Sequence, residues 1–141
     1  MARGIRAARL DSREPGSSLA PGQPGNDFKP VLDRRPDLLV VKHVNSAFGG
    51  SPDLHGWLQA ERLHDLVICG ITTNHCCETT ARLAGNLGYE TWFALDATHT
   101  FDRRDLDGEW ISADELARHT GANLQGEFAT VMDTVEVLAR S

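Results

Sequence analysis

The residues best suited to chemistry stand in one short stretch, Leu66 to Arg82. It begins with an apolar run that predicts a β-strand, Gly70 interrupts the run, and a polar turn leads into a helical pattern. Cys76 falls in the predicted first turn of that helix. Unpaired N–H groups and the helix dipole favour a thiolate there, and the same N–H groups can hold an oxyanion. Cys76 is therefore the candidate nucleophile.

Strand and helix signals alternate four times around this stretch. Such alternation is typical of βαβ units, so the sequence predicts an α/β fold with a mostly parallel sheet covered on both faces, a three-layer α/β/α arrangement. The predicted strands are 38–41, 66–69, 91–95 and 128–132, and the helices begin at Ser51-Pro52-Asp53, at Cys76, at the capping box Ser112 with Glu115, and at the capping box Asp133 with Glu136.

The ends of the predicted strands carry further polar residues. Lys42 and Asp96 fall at such ends, and Cys76 falls just past one. Ligands of parallel sheets bind beyond the carboxyl ends of strands, so the topology would bring these residues together.

The first 36 residues are rich in loop-forming types. They hold a Pro/Gly/Ser stretch from Glu14 to Gly25, which predicts a long loop, and only Ile5–Leu10 could form a strand, although its residues are poor strand formers. We expect one domain over residues 1–141, with 1–36 as a loop-rich segment and 37–141 as the βα core.

Composition excludes several classes of protein. The net charge is −6, from 14 basic and 20 acidic residues, which argues against a nucleic-acid or membrane surface. No apolar run approaches the ~20 residues of a membrane span. The Arg-rich start has no signal-peptide pattern, and three cysteines, two of them adjacent, do not indicate a disulfide framework. We expect a cytoplasmic protein.

The neighbours of Cys76 allow other interpretations. His75, Cys76 and Cys77 could suggest zinc, but a structural zinc site needs a second ligand pair that the sequence lacks. The adjacent thiols of Cys76 and Cys77 could form a redox switch, although neighbouring helical side chains point apart. Cys69 and Cys77 are both expected in the core.

Several motifs together resemble those of the isochorismatase-like cysteine hydrolases, from about Arg9 to the C-terminus. The cysteine motif and the lysine strand are specific in combination. The similar segments are the nucleophile motif Gly70–Arg82, the lysine strand Val41–Phe48, Asp96–Asp102, Glu127–Val131 and the loop Pro15–Phe28.

The resemblance implies a mechanism on a Rossmann-type α/β scaffold. Cys76 would attack the carbonyl of a small amide, imide or ureido compound, and water would hydrolyse the resulting thioester. Lys42 would stabilise the thiolate or the developing charge. The Ile71–Thr72 peptide occupies the family's cis non-proline position, and the N–H groups of Thr72 and Cys76 would form the oxyanion hole.

The resemblance also implies a pocket for a small-molecule substrate. No metal or cofactor is implied, because the family's metal-binding branch carries an Asp/His cluster near the long loop, whereas residues 10–25 contain no histidine. The candidate pocket residues are His43, Phe48, Asn74, His75 and His99.

The sequence departs from the family pattern at its start. The family's third catalytic residue is an aspartate ending its first strand, and no matching strand precedes Leu38; Asp11 does not fit the motif. We expect the fold to lack that strand, which would leave a gap beside strand 66–69 and favour a homo-oligomer that covers the exposed edges. The alternative function is a catalytically dead or truncated remnant that keeps the scaffold as an interaction module.

Overall fold

The structure, a computed structural model, describes residues 6–32 and 35–140. The chain divides into two compact units, Met1–Glu61 and Arg62–Ser141, and each is described by itself. The expectation of a single domain stays a prediction.

The first unit is built on two parallel strands. β1 (Arg6–Leu10) pairs with β2 (Leu38–Lys42), and α1 (Leu54–Ala60) follows a short 3₁₀ turn at Ala47–Gly49. β1 forms although its residues have low strand propensity, because pairing with the apolar β2 stabilises it.

The start of α1 differs from the prediction. Asp53, not Ser51, caps the helix, and its carboxylate accepts hydrogen bonds from the N–H groups of His55 and Gly56, each at 3.1 Å. The backbone of Ser51 instead pairs with Val41: the N–H of each residue donates a hydrogen bond to the carbonyl of the other.

The elements of the second unit are, in chain order, β3 (Asp65–Ile71), α2 (Glu78–Asn86), β4 (Glu90–His99), β5 (Arg103–Arg104), β6 (Trp110–Ile111), α3 (Ala113–Leu124), β7 (Thr130–Met132) and α4 (Thr134–Arg140). Its main sheet is parallel and three-stranded, in the order β3-β4-β7, with helices on both faces. Phe93 of β4 is fully buried against α2 and α3, whereas the adjacent Ala94 packs on the opposite face with Met132 and α4. This arrangement confirms the predicted α/β class with helix, sheet and helix layers.

β3 lies at the edge of its sheet and is uncovered on one face. Val67, Cys69 and Ile71 alternate along the strand and are exposed, whereas Ile68 packs on the opposite face against the core. The prediction that Cys69 is a core residue was therefore wrong. Within the described residues β3 pairs only with β4, and α2 and α3 cover only the other face of the sheet.

The segment after the third predicted strand is more regular than expected. β4 continues past Asp96 to His99, because a register irregularity lets Gly70 pair with Thr98. Between β4 and α3, where the sequence indicated no further strand, β5 pairs antiparallel with β6 to form a short hairpin.

Candidate active site

Cys76 lies in a π-helical turn, Thr73–Cys77, that runs directly from β3 into α2. The N–H groups of His75 and Cys77 donate to the carbonyl of Thr72, at 3.3 and 3.2 Å. The thiol therefore precedes α2 rather than standing in its first α-helical turn, although it still lies at the start of one continuous helical segment. Cys76 is half-buried, and Cys77 is buried in the core as predicted.

Threonine hydroxyls at the end of β4 and just after it hold this turn in place. Thr73 Oγ1 donates to Thr98 Oγ1 at 2.9 Å, and Thr98 Oγ1 in turn donates to the carbonyl of Leu95 at 2.8 Å. Two residues further along, just past the end of β4, Thr100 Oγ1 donates to Asn74 Oδ1 at 2.6 Å. Asn74 thus has a structural partner within the turn, and β4 needs its unpredicted extension to supply these contacts.

Glu78 ties the cysteine turn to α3, and sequence reasoning missed it. Arg82 Nη2 donates to its Oε1 at 2.8 Å, Thr120 Oγ1 donates to its Oε2 at 2.7 Å, and Asn123 approaches Oε1 at 3.4 Å. The Glu78 side chain is 13% exposed. The i,i+4 spacing of Glu78 and Arg82 was a usable signal for the ion pair, but nothing local indicated Thr120.

A cavity of about 470 Å³ opens beside the turn. The peptide bond between Ile71 and Thr72 is cis, the geometry that the resemblance implies for this bond. Of the predicted pocket residues in this unit, His75 lines the cavity, whereas the ring of His99 packs edge-on against Phe101 at 5.0 Å. The lining residues are Thr72, His75, Thr100, Phe101, Asp102, Arg103, Arg104 and Trp110.

Lys42, His43 and Phe48 belong to the first unit. Lys42 ends β2 and is 3% exposed, and its Nζ donates to the carbonyls of Val44 at 3.0 Å and Asn45 at 2.8 Å. His43 is exposed, with Nδ1 2.7 Å from the carbonyl oxygen of Asp11. Phe48 is half-buried in the 3₁₀ turn. The short loop after β2 therefore encloses the lysine head group with backbone carbonyls.

Asp11 anchors the long loop of the first unit. Its carboxylate accepts from Arg9 Nε at 2.8 Å and from Asn26 Nδ2 at 3.0 Å, and these two hydrogen bonds lower the pKa of Asp11 below its ordinary value. Asn26 also approaches the carbonyls of Leu10 and Leu19, each at 3.0 Å, which closes the loop. Asp11 therefore has a structural role here.

The predicted site residues are thus distributed over both units. Asn74, His75 and Cys76 share one turn in the second unit, and Lys42, His43 and Phe48 surround one strand end in the first. Their catalytic roles stay predictions. Among the described residues, no group of three His, Cys, Asp or Glu side chains is placed to bind a metal ion. None of the helices within residues 6–32 and 35–140 is long and apolar enough to span a membrane.

The sequence profile of the family described as the Isochorismatase domain matches residues 5–136. The chain therefore belongs to the isochorismatase-like hydrolase family, as the motifs indicated.

Known proteins with similar sequences and folds support this assignment. The isochorismatase family protein YrdC of Bacillus subtilis is 34% identical over 128 residues, which are 90% of this chain and 68% of YrdC. Nicotinamidase 3 of Arabidopsis thaliana is 36% identical over 98 residues, 70% of this chain but 43% of that protein. A crystal structure of an isochorismatase-family protein from Chromobacterium violaceum is 41% identical with a TM-score of 0.87, covering 95% of this chain and 69% of that one.

Proposed function

We propose that this chain is a cysteine hydrolase of small amide, imide or ureido compounds, with Cys76 as the nucleophile. The observation that carries the proposal is the position of a half-buried thiol at the start of a helical segment directly after a parallel strand. Helix N-termini stabilise thiolates, so a cysteine in this position is suited to nucleophilic attack.

The reaction proceeds in two steps. The Cys76 sulfur bonds to the substrate carbonyl carbon, the C–N bond breaks, and the leaving nitrogen takes up a proton. Water then attacks the thioester, which releases the acid and returns the thiol. The family's aspartate has no match in this sequence, so solvent water carries the thiol proton to the leaving nitrogen.

Two further groups have proposed roles in stabilising charge. The N–H groups of Thr72 and Cys76 bind the oxyanion of the tetrahedral intermediate. Lys42 supplies a positive charge for the thiolate or the oxyanion, and its two carbonyl contacts support this role because they fix the head group in one position. The name of the relative Nicotinamidase 3 supports an amide as the bond cleaved.

Ammonia release from a panel of primary amides and ureido compounds tests this proposal. We expect Cys76→Ala to abolish turnover and Cys69→Ala, the matched exposed thiol, to leave it unchanged. Lys42→Met should reduce kcat by at least about a hundredfold, since one charge-stabilising group of this kind contributes about 10²–10³ in kcat. Turnover of Cys76→Ala at the wild-type level would contradict the proposal.

Alkylation by iodoacetamide provides a second measurement that needs no substrate. Peptide mass spectrometry resolves Cys69, Cys76 and Cys77. Alkylation of Cys76 at pH 7 that is much faster than alkylation of the more exposed Cys69 supports an activated nucleophile. If Cys76 reacts no faster than Cys69, the chain instead fits the alternative of a scaffold without catalysis.

A further inference from the structure

The β5–β6 hairpin carries two arginines into the cavity beside the cysteine turn. The chain as a whole is acidic, with a net charge of −6, so two guanidinium groups in the lining of one cavity are an unusual local concentration of positive charge. Within the described part of the chain, neither Arg103 nor Arg104 has a carboxylate within salt-bridge distance.

The carboxylates next to the two arginines in the sequence accept hydrogen bonds from backbone amides. Asp102, which also lines the cavity, accepts a hydrogen bond from the N–H of Ala113 at 2.8 Å. Asp105 accepts from the N–H groups of Asp107 and Glu109, each at 2.9 Å. These carboxylates stabilise the loop and the start of α3, and within the described residues neither forms an ion pair with Arg103 or Arg104.

Both guanidinium groups are held in defined positions. Arg104 stacks over the Trp110 ring with 4.1 Å to its centroid and donates to the carbonyl of Gly108. Arg103 Nη1 lies 2.7 Å from His75 Nε2. Because arginine can only donate, Arg103 Nη1 is the donor in this contact and His75 Nε2 is the acceptor. Arg103 therefore keeps four other N–H donors, in the planar fork that matches a carboxylate.

Aromatic rings form the apolar part of the cavity. Phe101 is 58% exposed and Trp110 is 62% exposed, so both present open surface to a ligand. The volume of about 470 Å³ lies in the range of small-molecule sites. Thr72, just before the cysteine turn, and His75, within it, line the same cavity.

We propose that this cavity binds the carboxylate of a small anionic amide or ureido compound, with Arg103 as the main anchor. Arg104 supplies a second positive charge, and Trp110 and Phe101 contact the carbon chain of the ligand. The inference rests on the proposed function, because it names the substrate class for the site next to Cys76.

Equilibrium binding to the Cys76→Ala variant tests the inference without turnover. The probes are malonamate, succinamate and glutaramate, each compared with its nearly isosteric neutral diamide at fixed ionic strength. We expect at least one of these acids to bind about tenfold or more tightly than its diamide, which corresponds to hydrogen bonds to a charged group. In the double variant with Arg103→Gln this preference should disappear.

A matched variant separates local recognition from overall charge. Arg140→Gln removes the same charge from the last turn of α4, outside the cavity lining, and should keep the preference for the acid. Arg103→Lys keeps the charge but loses the fork, so we expect an intermediate preference. Circular dichroism of each variant reports whether the fold is kept.

The outcomes separate this inference from the proposed function. If no acid binds more tightly than its diamide, or if Arg103→Gln and Arg140→Gln behave alike, the anion site is wrong whatever the reactivity of Cys76. If the acids bind through Arg103 but Cys76 has no role in turnover, the site stands and the cysteine mechanism is wrong.

Discussion

Thr120 on α3 donates a hydrogen bond to Glu78 at the start of α2, with Oγ1 2.7 Å from Oε2. Thr120 is 1% exposed, so this contact lies in a region with almost no water. Glu78 follows Cys76 by two residues, and its carboxylate therefore connects the cysteine turn to a helix more than forty residues away in the sequence.

Removal of the Thr120 hydroxyl tests the importance of this connection. Thr120→Val keeps the side-chain shape but leaves Glu78 Oε2 without its donor, so the free energy of unfolding should fall by about 1–3 kcal/mol. Urea denaturation measures this change. Thr79→Val, at an exposed position of α2, is the matched control and should change stability by less than about 0.5 kcal/mol. Equal effects of the two substitutions would show that the contact to Glu78 adds no stability.

The lowered pKa of Asp11 predicts an acid-dependent loss of stability. The folded-state pKa lies below the unfolded one because Arg9 and Asn26 bind the carboxylate, so the contribution is complete above the ordinary pKa of about 4 and is lost as the pH falls through the folded value. Asp11→Asn should destabilise the chain at pH 7, and the difference from wild type should shrink below pH ~4. Urea midpoints across pH 2.5–7 measure it, and the exposed Asp27→Asn should show no such convergence. A constant difference at every pH would contradict the role assigned to the charge of Asp11.

Gly85 allows α2 to approach the chain at Phe128. A Cβ at this position would lie 2.5 Å from the carbonyl oxygen and 2.9 Å from the Cα of Phe128, and neither backbone atom can move easily. Gly85→Ala should therefore lower the free energy of unfolding by about 1–3 kcal/mol, despite the better helix propensity of alanine. The exposed Asn86→Ala, in the same helix, should be neutral or slightly stabilising. Thermal unfolding of both variants measures whether steric crowding against Phe128 outweighs the gain in helix propensity.

The two thiols other than Cys76 should react differently with N-ethylmaleimide. Cys69 is exposed and Cys77 is buried, so Cys69 should be modified much faster in the native protein. Partial desolvation raises the pKa of the Cys69 thiol, so its rate should continue to rise above pH ~9 as the thiolate forms. Denatured protein, in which both thiols react alike, is the control, and rapid native labelling of Cys77 would contradict its place in the core.

Local signals in the sequence predicted the elements of the second unit well. Ser112 caps α3 through a hydrogen bond from Glu115 N at 3.2 Å, and Asp133 accepts from Glu136 N at 2.8 Å before α4, as the two capping boxes indicated. Gly88 has a φ of +86° and lies just past the end of α2, where a glycine commonly ends a helix. These features depend on residues a few positions apart, so the local sequence is enough to predict them.

Features that depend on distant partners were not predictable in the same way. The sequence placed Asp96 at the end of a predicted strand, but nothing local indicated that its carboxylate accepts from the N–H and the hydroxyl of Thr134, at the start of α4. The exposure of Cys69 likewise depends on which strands and helices lie beside β3. Residue types and periodicity do not specify such neighbours, and the roles of Lys42 and Cys76 rest on the resemblance.

The uncovered face of β3 has a consequence for the colloidal behaviour of the chain. Within the part of the chain that the structure describes, one edge of β3 is unpaired, and its exposed Val67 and Ile71 make it a template on which strands of other molecules can add. The net charge of −6 opposes such contact at long range, but a Debye length of about 8 Å at physiological ionic strength shortens the range of that repulsion. The solubility of the chain should therefore fall as salt is added, with association along this strand edge as the expected cause.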